Sequence, residues 1–161
     1  MDELTPYQLL LRVRLSARYH QQRRRVLQRR ARILAYVNTA LALGVVTTVL
    51  HDSHLGWLQI TLSFGVALLT LADTLLGWNA QAFDHLSLYR RWLETEQWMM
   101  GVDLNDEAAR REAMQRIVAI EADEPPENRA AVDSCDNELL RAEGHAPAHK
   151  IGWWGRSAAS V

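Results

Sequence analysis

A chain of 161 residues with net charge −1 and mean hydropathy −0.18 has room for one domain of ordinary size. Near-zero net charge is weak evidence for any strongly charged external partner, and a single cysteine, Cys135, excludes an intramolecular disulfide. These averages hide a segregation: residues 1–50 hold nine Arg against Asp2 and Glu3, while residues 94–143 hold fourteen Asp or Glu against five Arg. Such a chain can neutralise itself by folding its acidic half onto its basic half.

The first predicted element is a basic helix over residues 1–32. Pro6 suits an early helical position. Tyr7, Leu11, Leu15, Tyr19, Val26 and Ile33 recur near three and a half residues or its double, which predicts a packing stripe. The first apolar run begins only at Ile33, with no small-residue cleavage site, so no cleavable leader is expected. The run Ile33–Leu50 has no charge over eighteen residues, about 27 Å as a helix, at the lower limit for a hydrocarbon core of about 30 Å. "HDSH" at residues 51–54 is a polar turn. Residues 55–76 follow with Asp73 as their only charge, about 33 Å as a helix. Two tandem helices apolar on every face need a larger core than this chain can provide, so both are read as membrane spans.

Orientation follows from arginine placement. All nine Arg of the first fifty residues precede the first span, none lies in the turn, and Arg90 and Arg91 follow the second span. Both termini are therefore expected in the cytoplasm. Arg23, Arg24, Arg25, Arg29, Arg30 and Arg32 are the expected interface anchor, attracted to anionic lipid by about 1 kcal/mol each near the surface. A nucleic-acid grip by the same arginines is the competing reading, disfavoured because the membrane flank explains the cluster without a further partner. Arg32 and Asp73 stand about equally far from the turn, which predicts an ion pair across the hairpin. The alternative for Asp73 is a water-filled, cation-preferring path. Asn38 faces the same choice between helix-to-helix hydrogen bonding and pore lining.

Beyond the spans, residues 77–100 form a stalk helix with a stripe through Trp78, Ala82, His85, Tyr89, Trp92, Glu96 and Met99, read as packing surface. Gly101 breaks it. Residues 101–144 form an acidic helical pair: Asp106 is the expected N-cap of the first member, Pro125–Pro126 its end, and Gly144 the C-cap of the second. Asn128, Ala131, Cys135, Leu139 and Ala142 share one face of the second member, making Cys135 a small buried hydrophobe. The tail, residues 145–161, carries Trp153 and Trp154 near Lys150 and Arg156 and suits a headgroup zone, a bundle cap or a loose end equally.

Motifs for phosphate loops, nucleophile elbows, HExxH or CxxC are lacking, so no catalytic site, cofactor or metal is expected. His51 and His54 are read as a polar cap in preference to a weak metal site. Glu121, Asp123 and Glu124 are read as a solvated or arginine-paired face. The fold class expected is an all-α membrane protein: a two-helix transmembrane hairpin whose helices extend into a four-helix cytoplasmic bundle.

The order and spacing of these elements resemble the SLATT family, two-span effectors of bacterial nucleotide-signalling conflict systems. The likeness rests on "RVRLSARYHQQRRR" leading into a short-turn hairpin, then "AQAFDHLSLYRRWLETEQ" with Ala82, His85 and Tyr89, then a closing helical pair around "EADEPPENRAAVDSCDNELL". It covers roughly residues 7–143 and leaves the tail unmatched. The resemblance implies an oligomeric inner-membrane effector that perforates or disrupts the membrane in anti-phage defence. It also implies a partner that makes or senses a nucleotide. A non-conducting membrane scaffold is the alternative, then a holin-like protein.

Overall fold

The computed structural model describes residues 5–50, 56–126, 129–142 and 144–150. The described residues hold five helices and no strand: α1 (Pro6–Leu50), α2 (Gly56–Leu76), α3 (Trp78–Met100), α4 (Glu107–Glu121) and α5 (Arg129–Ala142). The chain divides into two compact units, one of Met1–Val26 with Phe83–Val161, the other of Leu27–Ala82. The turn at residues 51–54, Asn128 and the Trp153–Trp154 pair lie outside the described residues.

Local chemistry sets the helix ends. Thr5 and Gln8 form a reciprocal capping box, the Thr5 amide donating to Gln8 Oε1 at 2.8 Å and the Gln8 amide to Thr5 Oγ1 at 3.3 Å. Pro6 takes the first helical position. Between α2 and α3 the backbone passes through Gly77 at φ +54°, a left-handed conformation that glycine adopts without a Cβ penalty. Its amide donates to the Asp73 carbonyl, and the Gln81 side chain donates to the Leu76 carbonyl at 2.8 Å, so helix-end groups there keep partners. Asp106 caps α4 through its side chain. Gly144 ends α5 at φ +82°: its amide bonds to the Arg141 carbonyl and the His145 amide to that of Leu140, a Schellman closure.

In the larger unit, one core joins Leu9, Val13 and Ala17 of α1 with Leu88, Trp92 and Met99 of α3 and Ala113, Ile117 and Ile120 of α4. A second cluster sets Tyr19 of α1 against Ala131 and Cys135 of α5. The expected α1 stripe is corrected. The most buried row is Leu9, Val13, Ala17 and His20, while Tyr7 and Ile33 are exposed. Tyr19 and Val26 are buried as well, and Leu11 and Leu15 are half-buried, so the stripe read from large residues lay on the flank of the true one. The small Ala17 and polar His20 disguised its centre. On α3 the expected Ala82, His85, Trp92 and Met99 are buried. Part of the charge complementarity crosses between helices: Arg12 reaches Glu121 at 2.6 Å and Arg14 reaches Glu96 at 2.8 Å. Both arginines are more than a third exposed, so each pair contributes about 1 kcal/mol at most.

In the other unit, the latter part of α1 and α2 run antiparallel. Asn38 Nδ2 donates to Thr70 Oγ1 at 3.2 Å, Leu41 packs toward Gly65, and Leu62 toward Gly44. Residue numbers in these pairs rise on one helix as they fall on the other, which fixes direction and register. A side chain at Gly44 would place its Cβ 3.3 Å from Leu62 Cδ1, which the leucine relieves by moving a few tenths of an ångström. The half-buried seam of α1 runs Leu34, Asn38, Leu41, Val45, Thr48, and that of α2 runs Leu58, Leu62, Gly65, Leu69, Ala72, both at three- and four-residue spacing.

The expected Arg32–Asp73 ion pair is not formed. Each residue sits one position past its seam, after Ala31 and Ala72, on an exposed flank. The Arg32 Nε turns back along its own helix to the Gln28 carbonyl at 3.4 Å. We predict that Asn38→Cys with Thr70→Cys, in a Cys135→Ser background, cross-links within one chain under mild oxidation. An Arg32→Cys with Thr70→Cys control is expected to stay reduced, as judged by gel mobility.

Candidate functional site

The most unusual feature of the larger unit is a chain of buried polar groups linking three segments. His20 is supplied by α1, where it continues the Leu9–Val13–Ala17 row into the interior. His85 and Trp92 come from α3, seven residues apart and so on one face. Glu124 comes from the connection between α4 and α5, held just before Pro125.

His20 Nδ1 lies 2.8 Å from His85 Nδ1, and His20 Nε2 lies 2.8 Å from Glu124 Oε1. Trp92 Nε1 donates to the same carboxylate oxygen at 2.7 Å. Tyr19 sets its ring edge-on to both histidines, with centroids at 5.1 Å and 6.1 Å. His20 is 0% exposed and His85 6%, so these groups have exchanged water for each other.

Proton positions follow from the distances. An ionised carboxylate only accepts, so His20 Nε2 carries hydrogen toward Glu124. The two Nδ1 atoms then share one hydrogen: either His85 donates to a neutral His20, or a protonated His20 donates to a neutral His85. Both rings protonated would set two N–H groups head to head at 2.8 Å and break the contact. Burial, with the charges of His20 and Arg23, lowers the His85 pKa to about 4 against the opposing pull of Asp84 and Glu124. For Glu124, burial alone would raise the pKa, but hydrogen bonds from His20 and Trp92 and the charges of both histidines outweigh it, and the net shift is downward. A neutral His85 beside an ionised Glu124 is therefore the neutral-pH state.

An open cleft of about 320 Å³ lies beside Glu124, lined by Asp84, Ser87, Leu88, Arg91, Asp123 and Pro125 among others. Arg91 closes one side by bonding Asp123 at 2.6 Å and the Ala119 carbonyl at 3.1 Å. The carboxylates read together from the sequence thus divide: Glu121 pairs with Arg12 and Asp123 with Arg91, while Glu124 turns inward and meets no arginine. That last placement corrects the reading of all three as a solvated or arginine-paired face. Cys135 is buried, gives its thiol proton to Gln22 Oε1 at 2.7 Å, and has its pKa pushed up to about 12, mainly by burial. It is a packing residue and not a nucleophile at neutral pH.

The residues expected from the sequence to line a pore or pair the hairpin are dispersed. Asn38 makes the inter-helix bond to Thr70, and Arg32 and Asp73 are exposed. Of the anchor arginines, Arg25 and Arg29 are exposed like Arg32, whereas Arg23, Arg24 and Arg30 are half-buried. His20 escaped the sequence reading because its periodic position was masked by the larger Tyr19, and Glu124 because a Pro-flanked carboxylate reads as surface. No group of His, Cys, Asp and Glu that could hold a metal occurs among the described residues. Comparisons with protein-family models, with curated proteins and with solved structures find no match to this chain.

Two outcomes test the site. Between about pH 6.5 and 4 the unfolded chain binds a proton at His85 that the folded chain refuses. Stability should therefore be level above that window and fall as pH drops through it, with Glu124 adding to the loss at its acid end. His85→Asn, whose amide occupies the Nδ1 position without titrating, should flatten the fall in thermal melts. Trp92→Phe preserves ring packing but removes a donor to a charged acceptor, and should cost about 1.5–3 kcal/mol in chemical denaturation.

Proposed function

We propose that this chain is a two-span membrane effector of the SLATT type, anchored in the bacterial inner membrane with both ends cytoplasmic. One observation carries the membrane reading. Two helices contain eighteen-residue windows of mean hydropathy 1.9 and 1.7, and none of either window is buried. A core helix of a soluble protein hides such a surface; here Val46, Trp57, Ile60, Phe64, Leu71 and Leu75 are open. The antiparallel register and the Arg-free turn support a hairpin with its basic flanks inside.

In this reading α1 and α3 leave the bilayer to join α4 and α5 in a cytoplasmic four-helix bundle, and the His20–His85–Glu124 chain restrains the bundle. The effector acts as an oligomer. Within one hairpin, Thr39, Thr47, Thr61, Thr70 and Thr74 each give their hydroxyl proton to a carbonyl of their own helix, while Gln59, Ser63 and Asp73 share one exposed face of α2, and two helices alone enclose no channel. A conducting path thus needs several copies, with Asp73, the exposed carboxylate of α2, as the residue that gives it cation preference. Release of the bundle restraint by a nucleotide-making or nucleotide-sensing partner is the trigger that the SLATT likeness suggests. A non-conducting scaffold is the reading to be separated from this one.

Induced expression with a membrane-potential dye makes the separation. The effector depolarises cells within minutes of induction, and Asp73→Asn at equal membrane abundance weakens the effect severalfold. Unchanged potential at high membrane abundance, with Glu124→Gln also silent, would establish the scaffold instead.

A further inference from the structure

Arg12, Arg14, Arg91, Arg111 and Arg116 of the larger unit each meet a carboxylate. Arg23 and Arg24 differ. Nη1 of Arg23 and Nε of Arg24 are both enclosed, and neither atom has a hydrogen-bond partner. A guanidinium cannot shed its charge to escape burial. An enclosed cationic donor without an acceptor is costlier than a neutral one. Arg23 and Arg24 stand three and four residues beyond His20 on α1, so they flank it, and each holds a donor that lacks an acceptor.

We propose that Arg23 and Arg24 form a binding site for a phosphate group. Guanidinium forks match phosphate oxygens in geometry, and the double charge of a phosphate answers two cations better than a single carboxylate would. Arg23 follows His20 by three residues on α1, which sets both on one side of the helix. Its charge already acts on His85, so a phosphate at Arg23 is felt by the buried histidine pair.

The phosphate has two possible sources, a lipid headgroup or a solute. Arg29, Arg30 and Arg32 lie within four residues of Ile33, about 6 Å of helix, inside a headgroup layer of about 5–7 Å. Arg24 lies nine residues from Ile33, about 14 Å, beyond that layer. This spacing favours a solute. Only that choice of source rests on the membrane reading; the site itself does not.

The test uses the full chain in maltoside micelles at pH 7, with inorganic pyrophosphate titrated by calorimetry against chloride of equal ionic strength. Saturable heat with pyrophosphate alone is expected, with affinity reduced at least tenfold in both Arg23→Gln and Arg24→Gln. Histidine ¹⁵N spectra give a second readout on the unaltered chain: pyrophosphate should raise the His85 titration midpoint, because it neutralises Arg23. A parallel arm compares phosphatidylglycerol nanodiscs with phosphate-free digalactosyl lipid nanodiscs. A His85 response only in the former assigns the phosphate to the bilayer and still supports the site. No response to pyrophosphate beyond chloride, together with none to phosphatidylglycerol beyond galactolipid, overturns the proposal. So does a full response retained in Arg23→Gln.

Discussion

Apolar surface that the chain does not cover is the constraint from which the rest follows. The outer faces of α1 and α2 present Val46, Trp57, Ile60, Phe64 and Leu75 openly, while their inner faces meet along a narrow seam with close glycine contacts. At about 25 cal/mol per Å² of apolar area, leaving such surfaces in water costs many times the net stability of a small domain. A bilayer removes that cost and adds a demand of its own, since backbone and hydroxyl groups must find partners within the helices. The threonines of both helices meet it by bonding back to carbonyls three or four residues earlier. Asn38 meets it in part: its amide nitrogen has Thr70, but its Oδ1 is enclosed without a donor.

The larger unit follows another logic. Its core is ordinary, with Trp92, Leu9, Ile117 and Val13 fully enclosed. Through that core runs a polar thread, from His85 through His20 to Glu124 and back to Trp92; buried polar groups of this kind are often replaced by a well-packed apolar set of equal volume without loss of stability. Such a network contributes specificity: it accepts one arrangement of α1, α3 and the α4–α5 connection, because the loss of any member leaves another buried and unmatched. A contact of that kind is satisfied or broken with little between, which is the property a restraint requires.

How much of this was legible in the sequence depended on the size of the signal. The long uncharged runs, the break at Gly101, the Asp106 cap and the Gly144 cap could be read because each is a local steric or hydrogen-bonding requirement, whereas the interruption at Gly77, where the second span was expected to run on into the stalk, was not read. The α3 face was legible from its aromatic residues. The α1 face was misplaced because Ala17 and His20 carry little hydrophobic signal, although packing selects positions by angle and not by residue size. Glu124 could not be read at all, since its burial depends on His20, 104 positions earlier. The Arg32–Asp73 pairing failed for a related reason: equal depth in an antiparallel pair does not bring side chains together when neither lies on the seam.

Residue-by-residue accessibility tests the central claim most directly. Single cysteines placed at Thr5, Ser53 and Lys150 in a Cys135→Ser background are exposed to a membrane-impermeant maleimide, first in intact cells with the outer membrane opened and then after lysis. The account predicts that Ser53→Cys is labelled in intact cells and that Thr5→Cys and Lys150→Cys are labelled only after lysis. Labelling of one end but not the other in intact cells, or recovery of the chain in the soluble fraction without detergent, would contradict it.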